Sequence, residues 1–336
     1  MTPPGPDQLT GGLPTVPFDL PAATPATRIG LGLAALGRPA YITLGRESDL
    51  PADRTVETME SRSHEVLDAA YAHGVRYFDV ARSYGRSEEF LAEWLRSRPR
   101  SDDVVIGSKW GYTYTGEWRT DAKVHEVKDH SRATFERQLA ETRHLLGNRL
   151  DLYQVHSVTP GSPVLTDRAL QDELAGLAAE GVTIGLSTSG PEQAAAIRAA
   201  LSVEAEGVPL FSSVQATYNL LEPSAGPALA EAHDAGRTVI VKEALANGRL
   251  VQEAADSPLG RLATESDTTA DALALAAVLH QPWAGIVLSG AATTGQLDDN
   301  TSASDAHLTP DDVEGLSSMA ETATAYWQHR ATLPWT

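Results

Sequence analysis

Short runs of β-branched and aliphatic residues recur along this chain at 29–33, 76–80, 104–108, 152–155, 183–187, 213–216, 238–241 and 285–288. Each has the length of a buried strand and is bounded by polar or Gly positions. Between them the apolar spacing becomes helical. In SHEVLDAAYAHG, Val66, Leu67, Ala70 and Tyr71 share one face before Gly74 stops the run. The same Ala-rich helix closed by Gly recurs in LQDELAGLAAEG and LAEAHDAG. Eight strands alternating with helices, with no break in composition, predict an α/β fold made of a single (β/α)8 TIM barrel over residues 28–336. A doubly wound sheet needs fewer strands and would leave two of these runs without a place. Residues 1–27, rich in Pro, Thr and Gly, are expected to be a flexible or surface-draped tail.

Composition narrows the function. Hydrophobic residues make up 42% of the 336, enough for a full core. There are 45 Asp plus Glu against 26 Lys plus Arg, a net charge of −19. Such a surface repels phosphate backbones and anionic lipid, so neither nucleic acid nor a membrane is an expected partner. The absence of Cys excludes disulfides, cysteine-ligated metal and thiol nucleophiles. No H-E-x-x-H run offers a zinc site, and no metal is expected. With neither a signal-peptide pattern nor a membrane-spanning run, the expected location is cytoplasmic.

Barrel enzymes carry their chemistry on the loops after the strands. The second run leads into GVRYFDVARSYG, placing Asp79 and Tyr84 on one loop. The third ends in VVIGSKWG with Lys109, and the fourth in LDLYQVHS with His156. Singly, each is explained by a turn, a rim ring or a satisfied core His. Together, at the mouth ends of three consecutive strands, they form a coherent proton-donating site for a carbonyl. Tyrosine has an unperturbed pKa near 10, and an acid working near neutrality needs it about 2 to 3 pH units lower. A nearby lysine cation favours tyrosinate, an aspartate keeps that lysine charged, and a neutral imidazole holds the carbonyl oxygen. GLGLAA at Gly30 to Ala35 matches a loose dinucleotide fingerprint, but Arg38 and Pro39 follow too soon for a helix, so it reads as a turn.

With these residues in place, the chain resembles the aldo-keto reductase superfamily from Arg28 to Asn300. GVRYFDVARSYG, SKWG and YQVHS look like that family's catalytic segments. The resemblance implies the tetrad Asp79, Tyr84, Lys109 and His156, with Tyr84 as general acid/base, NADPH or NADH as cofactor, and an aldehyde, ketone or sugar lactol as substrate. GLSTSG resembles the segment that holds the nicotinamide carboxamide, so Ser187 carries over while Thr188 replaces the usual Asn. Gln215 in SVQATYNLLE matches the amide-binding Gln. KEALANGRL resembles the loop after strand seven, implying Leu245, Asn247 and Gly248, with Lys242 where an aromatic ring usually stacks. LSGAATTGQLDDN resembles the adenosine-binding stretch, implying Gly290, Thr293, Thr294, Gln296 and Asn300. It lacks the basic residues used against a 2′-phosphate, and Arg261 is the alternative source of that charge.

Other chemistries fit less well. Glu243 alone does not make a glycosidase, which requires a second carboxylate, and a Schiff-base role for Lys242 would leave the tetrad unexplained. The alternative from another class is a cofactor-binding sensor or accessory subunit with little turnover. The long loop after the third run carries Trp110, Tyr112, Tyr114 and Trp118. These rings either line a substrate pocket or pack the loop onto the rim. If they line it, Trp110, next to Lys109, is the most consequential. The tail AYWQHRATLPWT, with Tyr326, Trp327 and Trp335, is placed near the same mouth.

Overall fold

Eight parallel strands close a barrel in chain order: β1 (Ile29–Gly32), β2 (Tyr77–Asp79), β3 (Val105–Trp110), β4 (Leu152–Val158), β5 (Thr183–Thr188), β6 (Ser213–Thr217), β7 (Thr238–Lys242) and β8 (Ile286–Ser289). β1 closes the circle by pairing with both β2 and β8. The computed structural model describes residues 28–98, 102–251 and 253–336. The expected tail, residues 1–27, lies outside the described residues. Between successive strands run helices α1 (Val56–Ala72), α2 (Ser87–Ser97), α3 (Arg132–Leu146), α4 (Arg168–Ala179), α5 (Gln193–Leu201), α6 (Gly226–Asp234) and α7 (Ala270–Leu279), with α8 (Thr294–Ser302) after β8. This is the expected (β/α)8 TIM barrel.

The alternation of strand side chains divides the core in two. Tyr77, Val105, Leu152, Ile240, Ile286 and Leu288 pack together inside the barrel. Phe78, Ile106, Tyr153 and Val155 point the other way, into the layer shared with the helices. There the Phe78 ring meets Trp94 of α2 edge-on at 5.3 Å. The interior is tight enough that a Cβ on Gly107 would collide with the Tyr77 hydroxyl, so only Gly lets that ring cross the barrel. The Tyr77–Leu288 plug supports the mouth from below. Further up the same inward rows stand Asp79, Lys109 and Gln154.

The helices start and stop on local signals. Thr55 caps α1, its side chain accepting from Thr58 N at 3.2 Å. Gly74, at φ +87°, ends that helical stretch as expected. Four features differ from the sequence reading. β3 runs on through Lys109 and Trp110, and β4 runs through His156 to Val158, with a bulge between Val155 and Val158. The loop after β3 folds into an antiparallel hairpin, Tyr112–Tyr114 against Glu126–Lys128. A second small hairpin joins Glu204–Ala205 to Val208–Pro209. Helices Pro258–Glu265, Pro310–Ser317 and Ala323–Thr332 extend the chain beyond the repeating unit.

Candidate active site

At the C-terminal end of the barrel, the inward rows of β2, β3 and β4 converge. Asp79 and Lys109 are 2% and 0% exposed and form a buried ion pair. The Lys109 Nζ also donates to the Val80 carbonyl at 3.1 Å. The Asp79 carboxylate accepts in addition from Gln215 Nε2 at 2.8 Å, Tyr77 Oη at 3.1 Å and Gln154 Nε2 at 3.4 Å. Burial pulls the Lys109 pKa down, and Asp79 opposes that pull. A buried charge with this many partners is fixed in position.

Tyr84, on the loop after β2, lies over this pair. Lys109 Nζ is 4.8 Å from the centre of its ring, and the Arg38 guanidinium carbon is 5.2 Å away. The Tyr84 hydroxyl is 3.5 Å from His156 Nε2, and His156 Nδ1 is 3.5 Å from Ser83 Oγ. Burial, then the Lys109 cation, push the His156 pKa well below its usual value, so the imidazole is neutral. The expected lowering of the Tyr84 pKa is not found. Burial and then the Asp79 charge raise it well above the ordinary phenol value. The aspartate that keeps Lys109 charged also cancels much of its field at the phenol, so Tyr84 holds its proton in the free protein.

Asp79 and Tyr84 line a cavity of about 340 Å³ with Gln215, Lys242, Leu245, Asn247, Gly248, Gly290, Gln296 and Asn300. The structure thus brings eight of the twelve expected cofactor residues onto one cavity with half of the tetrad. Ser187, Thr188, Thr293 and Thr294 lie behind or beside it. Ser187 Oγ accepts from Ser157 N at 2.8 Å, and Thr188 Oγ1 reaches Gln193 Oε1 at 3.4 Å. Thr293 caps α8, accepting from Gln296 N at 3.2 Å, and Thr294 is exposed on the first turn. Three buried acceptors on the cavity, Gln215 Oε1, Asn247 Oδ1 and Asn300 Oδ1, have no hydrogen-bond partner among the described residues. An orphaned acceptor costs about 1–3 kcal/mol, and the amide, amino and hydroxyl donors of a dinucleotide would satisfy them. A Cβ on Gly290 would meet nothing within 4 Å, leaving open space at that end. The residues present fit a nicotinamide dinucleotide.

Of the two placements open to the aromatic loop, packing is the one found for most of its rings, against the expectation that Trp110 and Trp118 face substrate. Because Lys109 faces inward, its neighbour Trp110 must face outward. Trp110 is fully buried and packs on Phe135 of α3 at 5.1 Å, outside the cavity. Trp118 donates to the Arg54 carbonyl at 2.8 Å and lies on a separate groove beside Trp335. Tyr112 does reach the tetrad, its ring meeting His156 edge-on at 5.0 Å. The Tyr114 hydroxyl accepts from Trp118 N at 3.2 Å, which holds the loop to itself. Trp110→Ala is accordingly expected to cost about 3 kcal/mol or more of stability, as large-to-small core changes do. Chemical denaturation checks this, together with kcat/KM over several aldehydes, whose rank order should not change.

The C-terminal segment fastens onto the loop after β1. Thr336 and Tyr41 exchange backbone hydrogen bonds at 3.1 and 3.2 Å. Trp335 stacks flat on His125 at 4.4 Å and covers the Arg38 guanidinium at 4.9 Å. Tyr326 is buried, its hydroxyl accepting from Asn219 Nδ2 at 3.1 Å, and Trp327 Nε1 donates to Glu222 at 3.3 Å.

Several residues of the site escaped the sequence reading. Gln154 was legible, because it is two residues before His156 and so shares its inward row. Arg38, Arg330 and Asp271 were not, since each arrives from a distant segment. Asp271, 8% exposed at the start of α7, lines the cavity together with Gln296 and Asn300. Arg261, the alternative source of charge, is exposed and donates to the Asp256 carbonyl of its own segment.

Comparison with known proteins agrees with this fold. Aldo-keto reductase str7 of Strobilurus tenacellus is 25% identical over 300 residues, covering 79% of this chain and 83% of that protein. Pyridoxal 4-dehydrogenase of Microbacterium luteolum is 29% identical over 153 residues, 39% of this chain and 40% of its own. The holo form of aldo-keto reductase AKR11C1 from Bacillus halodurans shares the fold, with a TM-score of 0.67 at 22% identity over 90% of this chain and 95% of that one. The profile of the aldo/keto reductase family matches residues 28–321, and the chain belongs to that family.

Proposed function

We propose that this protein transfers hydride between a nicotinamide cofactor and an aldehyde, ketone or sugar lactol, with Tyr84 as general acid/base. The observation that carries the reading is a protonated phenol and a neutral imidazole 3.5 Å apart above a buried Lys109–Asp79 pair. The bound cofactor supplies or accepts the hydride at the substrate carbon. The carbonyl oxygen accepts hydrogen bonds from Tyr84 Oη and the protonated ring nitrogen of neutral His156. As negative charge develops on that oxygen it becomes a stronger base than phenolate, and the Tyr84 proton passes to it. The tyrosinate left behind faces two cations, Lys109 and Arg38. In the direction of oxidation the same groups run backwards. Asp79 holds Lys109, and the orphaned acceptors of Gln215 and Asn300 orient the dinucleotide. Consumption of NADH or NADPH with a panel of aldehydes tests the reading, and binding without turnover would favour a sensor instead.

The cavity supports NADH over NADPH. Lys242 is the sole Lys or Arg lining it among the described residues, and Asp271 puts a carboxylate beside Gln296 and Asn300. A carboxylate there repels a 2′-phosphate and can accept from a ribose hydroxyl. NADPH is therefore expected to bind at most about tenfold tighter than NADH, or more weakly than NADH; one charge-assisted phosphate contact is worth about that factor. Fluorescence titration with both nucleotides measures the ratio. NADPH binding about a hundredfold tighter would remove the argument, and Asp271→Asn should shift the ratio toward NADPH.

A further inference from the structure

The loops after β1 and β2 interlock at a pair of glycines. Arg86 N donates to the Gly37 carbonyl at 2.7 Å. A Cβ on Gly37 would strike the Tyr84 carbonyl, and one on Gly85, at φ +59°, would strike Gly37 and Arg38. This close approach sets Arg38, which follows Gly37, against Tyr84, which precedes Gly85. Arg38 is 1% exposed. Its guanidinium donates to the Ser83 carbonyl and to the Glu126 carboxylate, both at 2.9 Å. Three rings surround it, with centres 4.8 Å away at Tyr41, 4.9 Å at Trp335 and 5.2 Å at Tyr84. One cation thus joins the loops after β1 and β2, the hairpin after β3 and the C-terminal segment.

A clamp on the Ser83 carbonyl needs only a neutral donor, and a buried charge is costly to keep. What the charge adds lies at Tyr84. Burial, then Asp79 and Tyr41, raise the Tyr84 pKa; the Arg38 charge opposes them, and Glu126 works against Arg38. We propose that Arg38 is a positioning residue of the proton transfer, whose charge, acting through the Tyr84 ring and shielded from water by Tyr41 and Trp335, stabilises the tyrosinate formed on reduction. The inference deepens the carbonyl-reducing reading and rests on it. As the Tyr84 O–H bond breaks and the substrate oxygen takes the proton, negative charge moves from that oxygen onto the phenolate, whose ring faces the guanidinium. Lys109 is matched by a carboxylate as deeply buried as itself. Glu126 is 24% exposed, so water weakens its field at the phenol more than that of Arg38. Because Trp335 covers Arg38, the C-terminal segment belongs to the acid although it touches none of the tetrad.

The test measures single-turnover aldehyde reduction by the whole protein as wild type, Arg38→Gln and Arg38→Lys. Gln keeps a neutral donor for the Ser83 carbonyl and loses the charge, whereas Lys keeps the charge and loses the planar fork. The rate of Arg38→Gln should fall at least about tenfold, the scale of one desolvated cation facing an aromatic ring, with KM and the nucleotide dissociation constant within about threefold. Arg38→Lys should run at least about threefold faster than Arg38→Gln. A loss under about tenfold in Arg38→Gln, or equal rates for the Gln and Lys variants, overturns the proposal.

Glu126→Gln breaks the same ion pair from its partly exposed side, and it decides the matter even if Arg38→Gln does not fold. A structural clamp would suffer from either substitution. A charge acting on the phenol would gain from this one, because Glu126 opposes Arg38 there. Glu126→Gln should therefore reduce aldehyde about twofold faster than wild type or more. A loss of about tenfold in Glu126→Gln shows that the pair only holds the loops together, and it overturns the proposal. Tyr84→Phe, run beside them, separates this inference from the reading beneath it. Inactive Tyr84→Phe beside unaffected Arg38→Gln overturns the role of Arg38 alone. Tyr84→Phe that keeps more than about a tenth of the rate removes the acid itself, and the role of Arg38 falls with it.

Discussion

Tyr84→Phe is expected to lower kcat for aldehyde reduction by at least about a hundredfold, because a positioned general acid contributes roughly that much or more. The substitution removes one oxygen and keeps the ring. The contacts that hold the ring, with Lys109 Nζ at 4.8 Å and Arg38 at 5.2 Å, are face contacts and largely survive. The hydroxyl itself lies 3.5 Å from His156 Nε2, so little folding energy is lost with it. Stability should stay within about 1 kcal/mol of wild type. The nucleotide dissociation constant should stay within about threefold, since Gln215, Asn247 and Asn300, not Tyr84, present the unpaired acceptors. Single-turnover mixing of enzyme, reduced nucleotide and aldehyde separates the chemical step from product release. Retention of more than about a tenth of the wild-type rate would show that water or His156 donates the proton, and the role assigned to Tyr84 would fall.

The strand periodicity made the convergence of Asp79, Lys109 and His156 at one end of the barrel readable. Residues 77 and 79, 105, 107 and 109, and 152, 154 and 156 form inward rows because alternate side chains share a face. Any polar residue at the top of such a row must open onto the mouth. The same rule places Trp110 outside, and the expectation that kept it beside Lys109 followed chain adjacency where the pleat separates neighbours. Acid strength was not legible. Residue types identified Lys109 and Asp79 as partners, but the sign of their joint field at Tyr84 depends on distance and burial, which composition does not carry. Nor was the pairing of Glu243 with Arg330 readable, because the two lie 87 residues apart along the chain. Asp271 gave no signal either. Its carboxylate enters the cavity from a helix whose sequence, ADALALAAVL, reads as buried packing.

Lys109→Met is expected to destabilise the protein by about 3–5 kcal/mol, because it strips the partner from a carboxylate that cannot reach water. Asp79 is 2% exposed, and after the substitution it keeps three neutral donors, Gln215, Tyr77 and Gln154. Three such bonds solvate a carboxylate only in part, so the charge remains uncompensated in a low-dielectric site. Removing both charges should reverse most of this cost. In Asp79→Asn/Lys109→Met, the amide still accepts from the same donors, and Met fills the volume of the lysine stem. Replacing a buried pair by neutral groups is often close to neutral for stability. Activity should not return with it. The double variant leaves Tyr84 its proton but takes away the cation 4.8 Å from the ring that would face the tyrosinate as the proton leaves. A rate at least about a hundredfold below wild type is expected, comparable to the loss of one preorganised electrostatic contact in a dry site. Urea denaturation and single-turnover rates on wild type, the single and the double variant test both halves. A double variant that recovers stability and rate together would make the ion pair a packing element with no part in the chemistry. A single variant that loses less than about 1 kcal/mol would mean the site is wet, and the argument from burial would fail with it.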